Sequence, residues 1–317
     1  MPRSSDRGNV WPELAYADWQ DTLATLHLWT EIAGKIRLAQ TPWLNHSWHV
    51  TLYVTPRGLN TSTIPYGHRS FQLEFDFQRH VLSISADHGA YREIGLYSRP
   101  VAEFYADVMK GLSGLGLDIR IDDLPNEVAN PIPFGEDRAH TAYDPVYAHR
   151  FWQVLSQVDR VLYTFRTGFI GKCSPVHFFW GGFDLAVTRF SGRRAPMHPG
   201  GVPNLPDAVT REAYSHEVSS AGFWPGDERL PQPSFYSYAY PEPPGFAAAA
   251  VEPAEAYYNK ELGEFILPYD AVRTAEDPDA TLLAFLMSTY EAAATCANWD
   301  RGALEVPMGR PGITRAV

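Results

Sequence analysis

The chain has 317 residues, 45% hydrophobic and 14% aromatic, and a formal net charge of -11. That composition can bury one large core or two modest ones and excludes disorder as the default state, while the acidic balance excludes a phosphate-tracking surface, so no DNA or RNA partner is expected. Cys173 and Cys296 are too few for a disulfide framework. No stretch approaches the ~20 apolar residues of a membrane span, and the opening MPRSSDRGNVWPELAY has no signal-like apolar run, which predicts a cytoplasmic protein without membrane association.

The first element is a helix from Trp19 to Ala39, where Trp19, Leu23, Leu26, Ile32 and Ile36 recur at helical spacing and Pro42 stops the run. From His49 the period changes to two. Val50, Leu52 and Val54 alternate with polar neighbours, as do Phe71, Leu73, Phe75 and Phe77 before Val81, Leu82 and Ile84, and these runs predict antiparallel strands. Pro100 opens a second helix with Val101, Phe104, Tyr105 and Val108 on one stripe, ending in glycines 111, 114 and 116. A short strand is expected over Leu117 to Ile121. Asp122 to Pro145 is rich in Pro, Asn and Asp and reads as a connection rather than packed structure. Pro145 to Gly168 predicts an aromatic-rich helix burying Phe151, Leu155, Val158, Leu162 and Phe165. Val176 to Phe190 is strand-like, and Pro278 to Cys296 is a closing helix.

The order of elements repeats, and setting Pro42 against Pro175 pairs Val50 with Phe183, Leu52 with Leu185 and Val54 with Val187. The reading is therefore an α+β protein of two related units of helix and antiparallel sheet, an internal duplication, with helices packed on one face of the sheet. The units are 1–122 and 145–317, joined by 123–144. One continuous antiparallel sheet wrapping a helix is the rival. Pro- and Gly-rich insertions at Ser191 to Asp207, Trp224 to Ser234 and Tyr240 to Phe246 mark the second unit as the carrier of function.

Four segments carry a resemblance: WPEL (Trp11 to Leu14), FIGKCSPVHFFWGGFDLAVTRFSGRRAP (Phe169 to Pro196), SAGFWPG (Ser220 to Gly226) and FYSYAYPEP (Phe235 to Pro243). The chain resembles DUF5996, a bacterial family of unknown function, over nearly its whole length. The resemblance implies no activity, cofactor or catalytic residue.

The richest segment holds His177, Trp180, Asp184, Arg189 and Arg193. Arg189 and Arg193 could fork onto a carboxylate or phosphate while His177 acts as acid or base; the structural alternative is that the arginines pair with surface carboxylates. On a regular strand Phe183, Leu185, Val187 and Arg189 share one face with His177, and Asp184 lies on the other. Trp224, Tyr236 and Tyr238 could wall a pocket with Trp180, or be an ordinary sheet face. Cys173, with Lys172 beside it and His177 four positions on, is a nucleophile candidate or an inert buried thiol. His216 and Glu217 are a candidate proton-transfer pair, although neighbours on a strand point apart.

No cofactor is expected. His46 and His49 lack the helix that would make them metal ligands, Arg166 stands where a phosphate loop needs its first glycine, and Gly111 to Gly116 has the wrong glycine order for a dinucleotide site. Three functions follow, and the sequence leaves them open. The first is a small, anionic or aromatic ligand in an aromatic-lined cleft of the second unit, bound by Trp180, Asp184, Arg189, Arg193, Trp224, Tyr236 and Tyr238. The second is a protein-interaction module or homodimer using the loops Phe223 to Gly226 and Phe235 to Phe246. The third is a hydrolase or transferase using Cys173 and His177.

Overall fold

The structure is a computed structural model that describes residues 10–315. The opening residues 1–9, part of the segment read as lacking a signal sequence, lie outside the described residues. Helix α1 (Tyr16–Gln40) ends at Thr41, which turns extended as the residue before Pro42 must. A single apolar stripe was predicted here. The helix is instead buried around most of its circumference, including Glu31, Lys35 and Arg37, as expected of a helix inside a core.

Six antiparallel strands follow: β1 (Tyr53–Val54), β2 (Gly58–Asn60), β3 (Ile64–Tyr66), β4 (Arg69–Asp76), β5 (Val81–Ala86) and β6 (Tyr91–Gly95). They lie in the order β1-β2-β4-β5-β6, with β3 on β4. Phe71, Leu73 and Phe75 are buried while Gln72 and Glu74 between them are not, so the period of two does report one covered face. Helix α2 (Val101–Gly114) opens behind Pro100 and buries Phe104, Val108 and Leu112.

The strand expected over Leu117 to Ile121 is not formed; the Leu117 N–H turns back to the Leu112 carbonyl at the end of α2. The connection is also more than a tether. Phe134 and Tyr143 are buried, and the carbonyls of Asp137 and His140 accept from the Ala102 and Val101 N–H groups at the start of α2.

Helix α3 (Pro145–Thr167) is capped by the Asp144 carboxylate and buries Phe151, Leu155, Val158, Leu162 and Phe165 as predicted. The second sheet comprises β7 (His177–Phe179), β8 (Asp184–Arg194), β9 (His216–Trp224), β10 (Ser234–Tyr240), β11 (Tyr257–Asn259) and β12 (Glu264–Pro268), in the order β11-β12-β10-β9-β8-β7. Helix α4 (Asp207–Ala213) precedes β9, and α5 (Tyr269–Arg273), α6 (Pro278–Cys296) and α7 (Arg301–Leu304) close the chain. Among the described residues no helix is long and apolar enough to cross a membrane.

The architecture is α+β, with two antiparallel sheets that meet edge to edge. Leu52 N–H donates to the Phe178 carbonyl at 2.8 Å and Phe178 N–H returns to Leu52 at 2.7 Å. Helix, six strands, helix thus recurs, but the residue pairing behind the duplication does not hold. Val54 is in β1 whereas Val187 is in β8, and the residue that faces Leu52 is Phe178. Apolar spacing alone cannot tell successive strands of a sheet apart, which is why the two runs aligned. On β8, Leu185 and Val187 are fully buried and Arg189 reaches α3 and α6, at Phe165 and Tyr290. The alternate residues turn to the opposite face, over which the short α4 stands. That opposite face carries the site.

Candidate functional site

A cavity of about 650 Å³ lies between the second sheet and α4. Its floor follows from strand alternation: Asp184, Ala186, Thr188 and Phe190 come from β8, Val218 and Ser220 from β9, and Tyr236 and Tyr238 from β10. Thr188 faces Ser220 across the ladder with hydroxyls 2.8 Å apart. Tyr236 faces Gly222, where any Cβ would crowd its hydroxyl, and donates that hydroxyl to the Asp184 carboxylate. Tyr238 shares a hydrogen bond of 2.9 Å with Tyr214, and its ring stacks beside that of Tyr236 at 6.1 Å. The floor is a row of hydroxyls ending in a carboxylate.

Trp180 forms a wall where β7 turns into β8. Its indole donates to the Val50 carbonyl at 2.8 Å and occupies the space a side chain at Gly34 would need. The turn continues through Gly181 and Gly182 to Phe183, whose φ of 54° is left-handed and whose ring is buried against Phe151. A second wall, Trp43 to Trp48, is fastened to α4. Trp43 donates to Glu212 at 2.6 Å, and His46 bonds the Ala213 carbonyl at 3.0 Å through Nδ1 and Lys172 at 2.5 Å through Nε2. A third, from Arg120 to Glu127, is tied down by Asn126 N–H to Glu31 at 2.9 Å, Lys35 to the Leu124 carbonyl at 2.7 Å, and Asn126 to the Asn204 carbonyl at 2.8 Å. Val202, Leu205, Pro206 and Val209 make the roof.

The charge at the floor is acidic and uncompensated. Enclosure by protein pushes the Asp184 carboxyl up to about 6, against the opposing effect of the Tyr236 hydroxyl. Glu127 is an exposed residue at the rim whose carboxylate reaches back to the Gly181 turn; dehydration there, then the Asp184 charge, push it up to about 7. Glu264 on β12 is raised to about 7 by the same two causes. Burial also raises Glu31, one of whose oxygens accepts no hydrogen bond and lies 3.7 Å from His27. Such a set favours hydrogen-bond donors and disfavours anions.

The structure brings together four residues singled out from the sequence: Trp180, Asp184, Tyr236 and Tyr238. It takes the others elsewhere. Arg189 points to the opposite face, 1% exposed, donating to the Phe165 carbonyl at 2.5 Å with its guanidinium 3.6 Å from the Phe165 ring and 4.2 Å from that of Tyr290. Arg193 forks onto Glu217 at 2.9 and 2.7 Å and reaches the Ala297 carbonyl. Neither lines the cavity, so the anion clamp is not built; an odd step along β8 separates Asp184 from both arginines. Trp224 ends β9 beyond the walls.

His177 faces Ala186 across the ladder but is sealed under Trp48, Tyr53 and Phe179, and neither ring nitrogen has a partner. Hence no Cys173–His177 pair exists. Burial pushes the Cys173 thiol up, away from thiolate. His216 and Glu217 do point apart, His216 toward Ser215 and His46, Glu217 toward Arg193 and Ser191. The loops read as a docking patch place Phe223, Phe235 and Phe246 fully in the core.

Sequence reasoning missed Glu127, Tyr214, Trp43 and Trp48. Glu127 sits in the segment taken for a tether, and its left-handed φ of 56° leaves no trace in composition. Tyr214 opens the very YSHE run whose histidine and glutamate drew notice instead.

No curated protein and no solved structure matches this chain. A family model does match, over residues 11–306, and its description is Family of unknown function (DUF5996).

Proposed function

We propose, for a chain that belongs to the DUF5996 family of unknown function, that it binds a small molecule with a flat apolar face and hydrogen-bond donors in the cavity over β8, β9 and β10. The observation that carries this is the convergence of Asp184, Glu127 and the hydroxyls of Thr188, Tyr214, Ser220, Tyr236 and Tyr238 on one aromatic-walled space of about 650 Å³. That volume lies within the ~300–1,000 Å³ of small-molecule sites, and mostly apolar walls with a few aimed polar groups are their usual make-up. An anionic ligand, the expectation from Arg189 and Arg193, loses its support because those side chains are spent elsewhere.

A thermal-shift screen of a metabolite library, run on wild type and on Val209→Trp, tests this. Val209 lines the roof and is only half-buried, so the indole can enter the cavity without opening the core. A ligand at about 100 times its Kd stabilises by ~2.7 kcal/mol, a rise of several degrees. Hits are expected on wild type and not on the filled variant. Equal shifts in both would place the ligand elsewhere.

A further inference from the structure

We infer that the cavity is made for an organic cation, an ammonium on a flat apolar body, with its head between Asp184 and Glu127 and its body against Trp48, Trp180 and Tyr238. This rests on the small-molecule reading above and adds the charge of the ligand to it.

Three observations support the choice. Both carboxylates close on the same two-residue turn: a Cβ at Gly181 would run into Glu127, and one at Gly182 would lie 2.7 Å from Asp184 Oδ1. Among the described residues neither carboxylate has an ion-pair partner; Asp184 feels the Tyr236 hydroxyl, and Glu127 feels Asp184. The cationic groups that line the cavity are committed or peripheral: Lys35 to the Leu124 carbonyl and the Glu31 charge, His46 to the Ala213 carbonyl, with Arg120 exposed at the rim. Two carboxylates on one turn, with no counterion among the described residues, leave the site short of positive charge. Indole and phenol faces attract the same charge through their quadrupoles. A neutral alcohol would find the hydroxyl floor but leave the repulsion between the carboxylates in place.

The inference also sets a direction with pH. The titratable groups around the pair are Tyr214, Tyr236, Glu264 and His27, whose ring bonds the Gly181 carbonyl at 2.9 Å, with Glu31 and Lys35 behind Glu127. An alkylammonium stays charged to about pH 10 and His27 on the Gly181 carbonyl is lowered by burial to about 4, so at the turn itself the carboxyls are the groups that change state between pH 5 and 8, with His46 on the wall by α4. Bound cation favours their charged forms, and protons leave as it binds.

The test uses the full chain and three probes of one shape: 2-phenylethylamine, 2-phenylethanol and phenylacetate. Calorimetry at pH 6.5, in two buffers of different ionisation enthalpy, reads affinity and protons released. The amine is expected to bind tightest, to release protons and to tighten from pH 5 to 8. Asp184→Asn and Glu127→Gln, near-isosteric changes, are each expected to weaken it about tenfold, as loss of a charged hydrogen-bond partner does, and to reduce the proton release. The alcohol's affinity should not depend on pH. If the alcohol or phenylacetate binds as well as the amine, the cation assignment is overturned and the small-molecule reading stands. If none of the three binds, the cation assignment is overturned, and the library screen on wild type and Val209→Trp decides the small-molecule reading separately.

Discussion

His177 sits on β7 among Trp48, Tyr53 and Phe179 with no hydrogen bond to either nitrogen. Burial, then the charges of Arg37 and Arg166, lower it from 6.5 to about 3. It is therefore neutral in the folded chain and takes up a proton near 6.5 when unfolded. Over the interval from 6.5 down to about 3 the unfolded state binds more protons, so this residue's contribution to stability is present above 6.5 and is lost as pH falls. Replacing it with an uncharged ring, His177→Phe, should remove that dependence. Raised carboxyls such as Glu127 and Glu264 change stability in the opposite sense, so the informative quantity is the difference between the two proteins. We expect that difference to move in favour of the variant by roughly 1 kcal/mol per pH unit between pH 6 and 4. Urea unfolding at pH 7, 6, 5 and 4 measures it, and parallel curves would show that His177 does not titrate with folding.

At the scale of elements, α1 and the β7–β8 turn define each other. The Trp180 indole lies where a Gly34 side chain would be, and it anchors there by donating to the Val50 carbonyl at 2.8 Å. Two effects compete when Gly34 becomes alanine. Helix propensity favours the change by about 1 kcal/mol. Overpacking opposes it by about 1–3 kcal/mol, and here the obstacle is a rigid indole rather than the tip of a flexible chain. The second effect should win: Gly34→Ala is expected to lower stability, to red-shift tryptophan emission as Trp180 is displaced, and to weaken ligand binding because Trp180 is a cavity wall. A more stable protein with unchanged emission would show that the helix can move off the turn.

Among the described residues one apolar core runs from Leu14 through Trp299, and both sheets and α1, α2, α3 and α6 contribute to it. Trp29 of α1 stacks on Phe104 of α2 and on Tyr143 of the connection, while Trp19 meets Phe151 of α3. Division at the connection would open that core and strip Leu52 and Phe178 of their mutual hydrogen bonds, exposing a sheet edge on each half. Accordingly we propose that the units 1–122 and 145–317 are architectural rather than independent. Calorimetry of the full chain should give a single transition, and fragments 1–144 and 145–317 made separately should not melt cooperatively. Two resolved transitions, or a cooperative fragment, would establish separate domains.

The chain's own pattern determined its four long helices and the strands β4, β5 and β8, because apolar periodicity and proline placement are local: Pro100, Pro145 and Pro278 each open a helix, and Phe71 to Phe75 alternate on one face. It also determined that Asp184 and Arg189 cannot meet, since five steps along a strand end on opposite faces. Which face would be covered by helices and which left hollow was not local. Leu52 joins Phe178 across two sheets distant in sequence, and Glu127 comes to the Gly181 turn because a segment without periodicity is pinned to α1 by the Glu31 carboxylate and the Lys35 ammonium. A cavity is space that packing fails to fill, and no stretch of sequence records it; only the tertiary structure decided that Trp180, Asp184, Tyr236 and Tyr238 would surround one while Arg189 and His177 were sealed away from it.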